Sequence, residues 1–254
     1  MGVVNVTPDS FFDGGLYLDA KRAVAHARQL VADGADIVDI GGESTRPGAA
    51  PVSEQEELDR ILPVVQALQD IPVSVDTRRP AVMRAVLAAG ASMINDVEAL
   101  GAPGALQAVA ASGCAICLMH KKGEPATMQQ DPHYEDVVAE VKSFLNERIA
   151  RSTAAGIAAD RLVIDPGFGF GKTVEHNLIL LRNLRDLSER PSVAGLSRKS
   201  ALGKLTGRPV QERLAGSLAM ALLALQAGAR ILRVHDVRET RDIVAVWQAY
   251  KNAA

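Results

Sequence analysis

The sequence predicts an α/β fold, a single (β/α)8 TIM barrel over residues 1–254, because two kinds of segment alternate along it. Short apolar, β-branched runs recur about every 32 residues, which is the length of one βα unit. The eight runs are 3–6, 36–40, 72–75, 92–94, 115–119, 161–164, 192–196 and 230–234. Their near-continuous apolarity is typical of parallel strands buried on both faces. An open doubly wound sheet is the alternative, but it seldom has eight evenly spaced units without a second domain.

Longer amphipathic stretches between these runs predict eight helices. In the stretch 19–33, Val24, Ala27 and Val31 recur three or four residues apart, as on one face of a helix. Gly34 follows at the position of a C-terminal glycine cap. This stretch is therefore expected to be the first helix.

Three further stretches have the same helical pattern. The helix over 53–69 is expected to begin after Ser53, because Glu56 three residues later has the spacing of a capping box. The stretches 135–155 and 210–227 predict long helices. No linker or change of composition interrupts the pattern, which favours one domain over 1–254.

Composition and charge exclude several classes of protein. Lys and Arg number 28 against 30 Asp and Glu, a net charge of −2, whereas a nucleic-acid-binding protein usually has a basic excess. No apolar stretch reaches the roughly 18 residues of a spanning helix, and the chain start lacks the pattern of a signal peptide. Two cysteines are typical of a reduced, cytoplasmic chain. We therefore expect neither a nucleic acid nor a membrane as partner.

Every predicted strand is followed by at least one hydrogen-bonding or charged residue. In a barrel, the carboxyl ends of the strands and the loops after them form one rim, where active sites lie. The rim residues are Asn5, Thr45, Arg46, Asp76, Asn95, Asp96, His120, Asp165, Ser197, Lys199, Arg233 and His235. Helix capping accounts for any one of them but not for a polar residue after all eight strands. The rim is therefore the expected functional site.

Seven of the rim residues fall into two chemical groups, hydrogen-bond acceptors and anion-binding donors. The acceptors are Asp76, Asn95 and Asp165. The cations and anion-binding donors are Arg46, Lys199, Arg233 and His235. Together they predict a substrate with a flat ring rich in N–H donors at one end and a phosphate-like group at the other.

The glycine-rich motif after the sixth predicted strand does not indicate a nucleotide-binding P-loop. The segment GFGFGKT (167–173) fails the P-loop pattern because Pro166 stands where glycine is required. Its glycines are instead expected to let the backbone approach a ligand beside Asp165, with Phe168 and Phe170 as apolar walls.

The cysteines and Lys199 have alternative interpretations. Cys114 and Cys117 form a C-x-x-C beside the fifth strand, but their odd spacing directs the side chains to opposite faces, which favours core filling over redox or zinc chemistry. Lys199 could form a Schiff base, although contact with a ring or an anion is the preferred interpretation. Ser197 lacks the context of a serine nucleophile.

Seven motifs, in the same order, resemble those of the dihydropteroate synthase family, the folate-pathway enzymes that sulfonamides inhibit. They are NVTPDSF (5–11), GGESTRPGA (41–49), SVDT (74–77), IND (94–96), DPGFGFGK (165–172), SRKS (197–200) and RVHDV (233–237). The resemblance covers essentially the whole chain. It implies a (β/α)8 barrel, a cytoplasmic homodimer, and the condensation of 6-hydroxymethyl-7,8-dihydropterin diphosphate with p-aminobenzoate in the presence of Mg2+.

The resemblance also implies roles for particular residues. Asp76, Asn95 and Asp165 match the positions that bind the pterin, with Met119 and Lys199 lining its pocket. One residue, Asn5, matches the Mg2+ ligand. Arg233 and His235 match the diphosphate-binding pair, Thr45 helps to bind the pterin diphosphate, and Val234 is a further substrate-binding position. The surroundings of p-aminobenzoate are matched by Phe11, Arg46, Pro47, Phe170, Lys199 and Ser200.

The rim chemistry and the resemblance agree on a mechanism. Mg2+, Arg233 and His235 would balance the charge of the departing diphosphate, while Asp76 would stabilise the cationic pterin methylene that remains. The amine of p-aminobenzoate then attacks, so that no protein nucleophile is needed. Asp76, Lys199, Arg233 and His235 are accordingly the expected catalytic residues.

The sequence departs from the family pattern in a few places. Phe12 stands where serine is commoner, and Lys121 and Lys122 stand where a methionine and a polar residue are frequent. Both changes are expected to alter affinity for p-aminobenzoate or sulfonamides. Family members usually have a short segment before the first strand, so either such a segment precedes Met1 or that end of the barrel is closed differently.

Two other functions fit the sequence less well. A pterin-dependent methyltransferase would use Asp76, Asn95 and Asp165 but would leave the motifs at 45–48 and 197–200 without a role. A catalytically silent paralogue would be expected to lack a rim residue, and none is lost.

Overall fold

A computed structural model describes residues 1–7, 15–43, 52–124 and 127–253, and for 15–19 it describes the backbone alone. The described residues contain eight parallel strands, placed as the apolar runs predict. They are β1 Gly2–Asn5, β2 Val38–Gly41, β3 Val73–Asp76, β4 Met93–Asp96, β5 Ala115–Met119, β6 Leu162–Asp165, β7 Val193–Ala194 and β8 Ile231–Leu232.

The strands close into a barrel. Strands β1 to β6 pair in sequence order, and β7 pairs with β8. Two parallel bridges complete the ring, one between Ile164 and Ser192 and one between Gly2 and Val234. This closed order confirms the predicted (β/α)8 barrel and excludes the open doubly wound sheet.

The part of the chain that the structure describes contains nine α-helices, one more than predicted. They are α1 Gly15–Ala32, α2 Glu54–Ala67, α3 Pro80–Ala88, α4 Ala105–Ala110, α5 Val137–Ala154, α6 Val174–Arg182, α7 Ser200–Thr206, α8 Leu214–Gln226 and α9 Val237–Asn252. The additional helix, α7, ends at Gly207, which adopts φ 70°. The predicted helix over 210–227 begins only at Leu214, because Val210–Glu212 form a 3₁₀ turn.

The predicted start of α2 is confirmed. The Ser53 hydroxyl accepts a hydrogen bond from the backbone N–H of Glu56 at 3.1 Å. Such a cap satisfies an N–H group that has no partner inside the helix. Among the described residues, no helix is long and apolar enough to cross a membrane.

Two apolar clusters fill the molecule. The larger lies between the strands and the surrounding helices and includes Cys114. The smaller, inside the barrel, consists of Met93, Cys117, Val163 and Val193. The two cysteines therefore fill different clusters, and both are free thiols.

Candidate active site

The residues at the carboxyl ends of β1 to β3 and the next-to-last residue of β4 lie side by side at this end of the barrel. The register pairs Asn5 with Gly41, Gly41 with Asp76, and Asp76 with Asn95. Gly41 leaves open space between its neighbours: a Cβ built on it would lie 3.7 Å from the Cβ of Asp76 and 4.0 Å from Oδ1 of Asn5. The barrel thus brings three predicted site residues together.

Arg233 joins two carboxylates at this end. Its Nε donates to Oδ2 of Asp39 at 2.6 Å, and its Nη2 donates to Oδ2 of Asp76 at 3.2 Å. Burial would lower the pKa of Arg233, but the charges of Asp39 and Asp76 raise it above its ordinary value. Arg233 therefore remains a cation throughout the pH range in which the protein is folded.

Asn95 has one satisfied and one unsatisfied polar atom. Its Nδ2 donates to Oδ2 of Asp39 at 3.1 Å. Its Oδ1 is buried and has no hydrogen-bond partner among the described residues. A buried acceptor without a partner costs free energy unless a ligand or a water supplies a donor. Oδ1 of Asn95 is therefore available to accept a hydrogen bond from a ligand.

Asp165 lies across the barrel from these residues, at the end of β6. Its Oδ1 accepts from the N–H of Gly167 at 2.7 Å. A Cβ built on Gly195 would lie 3.9 Å from both Oδ2 of Asp165 and the Cβ of Arg233. The missing side chain at Gly195 thus leaves space between the carboxylate and the guanidinium.

The carboxyl groups here are hard to ionise. Burial raises the pKa of Asp76 from 3.8 to about 7; the charge of Arg233 opposes this rise and that of Asp39 adds to it. Burial also raises the pKa of Asp165, against the charge of Lys199 and the N–H group of Gly167. Buried carboxyls with perturbed pKa values are typical of binding and catalytic sites.

Lys199 precedes α7 and extends toward Asp165. Its ammonium donates to the carbonyl of Phe168 and lies 4.7 Å from the ring centroid of Phe170. Burial lowers the pKa of Lys199 from 10.5 to about 8, although the charge of Asp165 opposes this. Met119, which pairs with Asp165 in the register, is buried beside them.

We call the space lined by Asp76, Asn95, Asp165, Lys199 and Arg233 the slot.

Two of the three glycines after β6 lie where a side chain would not fit. At Gly167, with φ 68°, a Cβ would lie 1.8 Å from the carbonyl oxygen of His120. At Gly171, with φ 67°, it would lie 2.1 Å from the carbonyl oxygen of Lys122. The two positions allow close packing on the segment after β5. Phe168 was expected as an apolar wall, but it is fully buried in the hydrophobic core.

His235 lies three residues after β8, beside Ser197. Its Nδ1 lies 3.1 Å from Oγ of Ser197, and its backbone N–H donates to the same oxygen at 3.2 Å. The motifs at 197–200 and 233–237 are also joined by an ion pair, since Nε of Arg198 donates to Oδ2 of Asp236 at 2.9 Å. Arg198 has φ 57°, a conformation that costs free energy for a residue with a side chain.

Val234 has a structural function in the barrel. Its N–H donates to the carbonyl of Met1 and its carbonyl accepts from Val3, both at 3.0 Å. Its side chain is buried in the cluster between strands and helices. The N–H, the carbonyl and the side chain of Val234 thus all make contacts within the protein.

The remaining predicted site residues lie at the periphery or outside the described part. Ser200 is exposed at the start of α7, and Phe170 is partly buried next to Lys199. Four predicted residues lie outside the described residues, as does Phe12. They are Phe11, Thr45, Arg46 and Pro47.

A network of ion pairs fixes the residues that border the segment 44–51. Nη1 of Arg79 donates to Oε2 of Glu43 at 3.0 Å and also to Glu57. Arg78 bonds Glu98 at 3.2 Å. Glu57 is almost completely buried, and this burial raises its pKa while Arg79 opposes the rise.

Sequence reasoning missed Asp39 and left Lys172 without a role. Asp39 is an aspartate between Val38 and Ile40 in the interior of a strand run, and this is the signal that could have singled it out. Lys172 ends the motif after β6 and is buried, a place where lysine is rare. Nothing in the sequence spacing indicated the partner of either residue.

The described residues contain no group of three or more His, Cys, Asp or Glu side chains that could hold a metal ion. The predicted Mg2+ ligand, Asn5, is half-buried at the rim, with its amide oxygen beside Gly41. Mg2+ accepts few protein ligands when phosphate oxygens and water complete its shell. A single amide oxygen at the rim fits such an ion.

The fold and the slot define a class of protein: a (β/α)8 barrel with buried hydrogen-bond acceptors and cations at its carboxyl end. Residues 1–235 match the family model described as pterin binding enzyme. The dihydropteroate synthase of Escherichia coli K12 is 50% identical over 258 residues, covering 100% of this chain and 92% of that protein.

Two solved structures are similar over the whole chain. The Xanthomonas albilineans dihydropteroate synthase in complex with 7,8-dihydropteroate is 52% identical, with a TM-score of 0.91 and coverage of 100% of this chain and 94% of that one. The Yersinia pestis enzyme in a sulfonamide drug complex is 48% identical, with a TM-score of 0.94 and the same coverage. The chain therefore belongs to the dihydropteroate synthase family, whose members are transferases.

Proposed function

We propose that this enzyme joins 6-hydroxymethyl-7,8-dihydropterin diphosphate to p-aminobenzoate, forming 7,8-dihydropteroate and releasing diphosphate. The observation that carries the proposal is the unpartnered, buried Oδ1 of Asn95, which lies on the strand next to Asp76. A pterin ring presents amino and ring N–H groups that match such acceptors. The Xanthomonas relative is described in complex with the product of this reaction.

The slot residues would orient the pterin. Asp76, Asn95 and Asp165 accept hydrogen bonds from its N–H groups, and Met119 and Lys199 line the ring. The bonds to the two carboxylates are charge-assisted when Asp76 and Asp165 are ionised, and such bonds contribute about 1.5–3 kcal/mol each. Because the acceptors are buried, water competes poorly for them.

Bond cleavage would occur between the pterin methylene carbon and the diphosphate oxygen, which departs with the electron pair. Arg233 and His235 bind the diphosphate with the help of Thr45, and Asp76 stabilises the cationic methylene. The amine of p-aminobenzoate donates its electron pair to form the new C–N bond and loses a proton to solvent. No covalent bond to the protein is formed.

Asn5 would hold Mg2+ at the rim through its amide oxygen. When bound, the ion neutralises negative charge on the diphosphate and so makes it a better leaving group. Arg233 and His235 supply the remaining positive charge from the protein.

The second substrate would bind beyond the slot. Lys199, Phe170 and Ser200 are the described residues that we assign to p-aminobenzoate, and Lys199 lies over the Phe170 ring. By the family resemblance we also assign Phe11, Arg46 and Pro47 to p-aminobenzoate. Sulfonamides resemble p-aminobenzoate in size and charge, so we propose that they bind there as well.

We further propose a single domain over 1–254 that forms a homodimer in the cytoplasm. Large apolar side chains are exposed on neighbouring helices α6 to α8 and would be buried against a second copy. They are Leu178, Ile179, Leu205, Leu214 and Leu223. Light scattering should give twice the chain mass, and Leu223→Glu should give the monomer mass.

Diphosphate release tests the proposed reaction directly. The enzyme is incubated with the pterin diphosphate, p-aminobenzoate and Mg2+, and diphosphate and dihydropteroate are measured. We expect equal amounts of both products. Release that continues at the same rate without p-aminobenzoate would indicate ester hydrolysis and contradict the synthase reaction.

A further inference from the structure

Asp39 is a charged side chain at the floor of the slot. It lies on β2 two residues before Gly41, and the register pairs it with Ser74 on β3. Its side chain is 0% exposed. Burying a carboxylate is costly unless cations and hydrogen-bond donors compensate for the lost water. The donors that bind the Asp39 carboxylate therefore indicate what this residue does.

Asp39 fixes which atom of Asn95 faces a ligand. Its Oδ2 accepts from Nδ2 of Asn95 at 3.1 Å. An ionised carboxylate can only accept, so the amide must turn its NH2 group toward Asp39. The oxygen Oδ1 of Asn95 then lies on the opposite side of the amide group, buried and without a partner among the described residues. Were Asn95 to rotate by half a turn, two oxygens would face each other and the ligand would meet a donor.

Asp39 also fixes Arg233. The bond from Nε of Arg233 to Oδ2 of Asp39, at 2.6 Å, is shorter than the 3.2 Å bond from Nη2 to Oδ2 of Asp76. Because Asp39 binds the inner nitrogen, the outer edge of the guanidinium is directed toward Asp76 and the slot. No bond from Nη1 of Arg233 occurs among the described side chains.

We propose that Asp39 is a positioning residue: through its Oδ2 it sets the orientation of both Asn95 and Arg233, and thereby makes the slot selective for a ring donor next to an anionic tail, while its Oδ1 is buried without a partner among the described residues. This inference rests on the proposed pterin chemistry of the site. One buried carboxylate would thus orient a residue on β4 and the residue that directly follows β8.

The test measures two probes separately by calorimetry on the full chain. The first probe, 6-hydroxymethylpterin, represents the ring, and the second, inorganic diphosphate with Mg2+, represents the tail. Asp39→Asn should weaken each probe about tenfold or more, the loss of one charge-assisted hydrogen bond. The KM for p-aminobenzoate should not change. Equal affinities in the variant and the wild type would overturn the proposal.

Ser74→Ala is the matched control. Ser74 is fully buried beside Asp39, and its hydroxyl has no partner among the described residues. Removing it changes a polar atom at the same depth without touching Asn95 or Arg233. Both probes should bind as in the wild type, and a loss as large as that of Asp39→Asn would assign the effect to packing.

A double-mutant cycle separates orientation from general damage. In an Asn95→Ala background, Asp39→Asn should cost little further ring affinity, because the side chain that it orients is gone. Losses that add fully would overturn the role through Asn95.

A second variant keeps the test valid if Asp39→Asn alone folds poorly. Arg233→Met combined with Asp39→Asn removes both members of a buried ion pair, a change that is often tolerated. Relative to Arg233→Met alone, this pair of changes should regain stability and yet lose ring affinity. A gain in both stability and ring affinity would contradict the proposal. If the wild type itself does not bind 6-hydroxymethylpterin, the proposed function fails, and this inference with it.

Discussion

The ammonium nitrogen of Lys172 lies 2.9 Å from Nδ1 of His120, and both side chains are buried. This contact joins the segment after β6 to the segment after β5, next to the close approach of Gly167 to the His120 carbonyl. Burial, together with the charge of Lys172, lowers the pKa of His120 from 6.5 to about 3. His120 is therefore a neutral acceptor.

The first prediction concerns the titration of His120. Lys172→Met removes the nearest positive charge, so the pKa of His120 should rise in NMR titrations of its ring protons. The control is Lys122→Met, because the charge of Lys122 has a weaker effect on the same pKa and the side chain is exposed. A larger rise with Lys122→Met would contradict the assignment of Lys172 as the dominant neighbouring charge.

The second prediction is a pH dependence of pterin binding. Asp76 has a pKa raised to about 7, so it loses its charge as the pH falls through neutrality. The ionised form is the better acceptor for ring N–H groups. Affinity for 6-hydroxymethylpterin should therefore decrease as the pH falls below about 7.

Asp76→Asn tests the same assignment. It should cost about 1.5–3 kcal/mol of pterin binding at high pH and remove most of the pH dependence, both measured by calorimetry. A variant that keeps the wild-type affinity and pH profile would show that Asp76 does not contact the ring.

The third prediction concerns Lys199. Lys199→Ala should lower kcat/KM about tenfold or more, equivalent to about 1.4 kcal/mol, while the unfolding midpoint stays close to that of the wild type. The physical reason is the loss of a cation that lies beside Asp165 and over Phe170. Lys204→Ala is a suitable control, because Lys204 is exposed on the same helix, α7. Wild-type turnover in Lys199→Ala would remove Lys199 from the site.

The fourth prediction concerns Arg233. Arg233→Met leaves Asp39 buried without a cation, so it should lower the free energy of unfolding by about 3–5 kcal/mol at neutral pH. Chemical denaturation measures this loss. Binding of the diphosphate ester should also weaken far more than binding of free pterin, and equal losses would contradict an anion-binding role.

The fifth prediction concerns the ion-pair network next to segment 44–51. Arg79→Met leaves the buried Glu57 without its cation and should lower the free energy of unfolding by about 3–5 kcal/mol. The control is Arg28→Met, because Arg28 and Asp70 form a 2.9 Å pair with side chains 48% and 63% exposed. Solvent screens such a pair, so the control should unfold like the wild type. If the two substitutions lowered the free energy of unfolding equally, burial of Glu57 would not be the cause of the loss.

Much of the architecture follows from the sequence. The eight apolar runs lie within about two residues of the eight strands, because strands buried on both faces need apolar side chains throughout. Polar residues such as Asp76, Asn95 and Asp165 lie at one end because parallel strands end on the same side. The extra helix α7 was missed because it is short and ends at Gly207.

The sequence by itself determined the barrel and the chemical types of residue at its rim, since both depend on patterns within a few neighbouring positions. Only the tertiary structure decided which of these groups meet. Asp39 and Arg233 are 194 residues apart in the chain and 2.6 Å apart in space. The same holds for Gly167 and Gly171, which pack on the backbone after β5. These contacts depend on the closure of the strands into a ring, and no local sequence pattern specifies the pairs that closure creates.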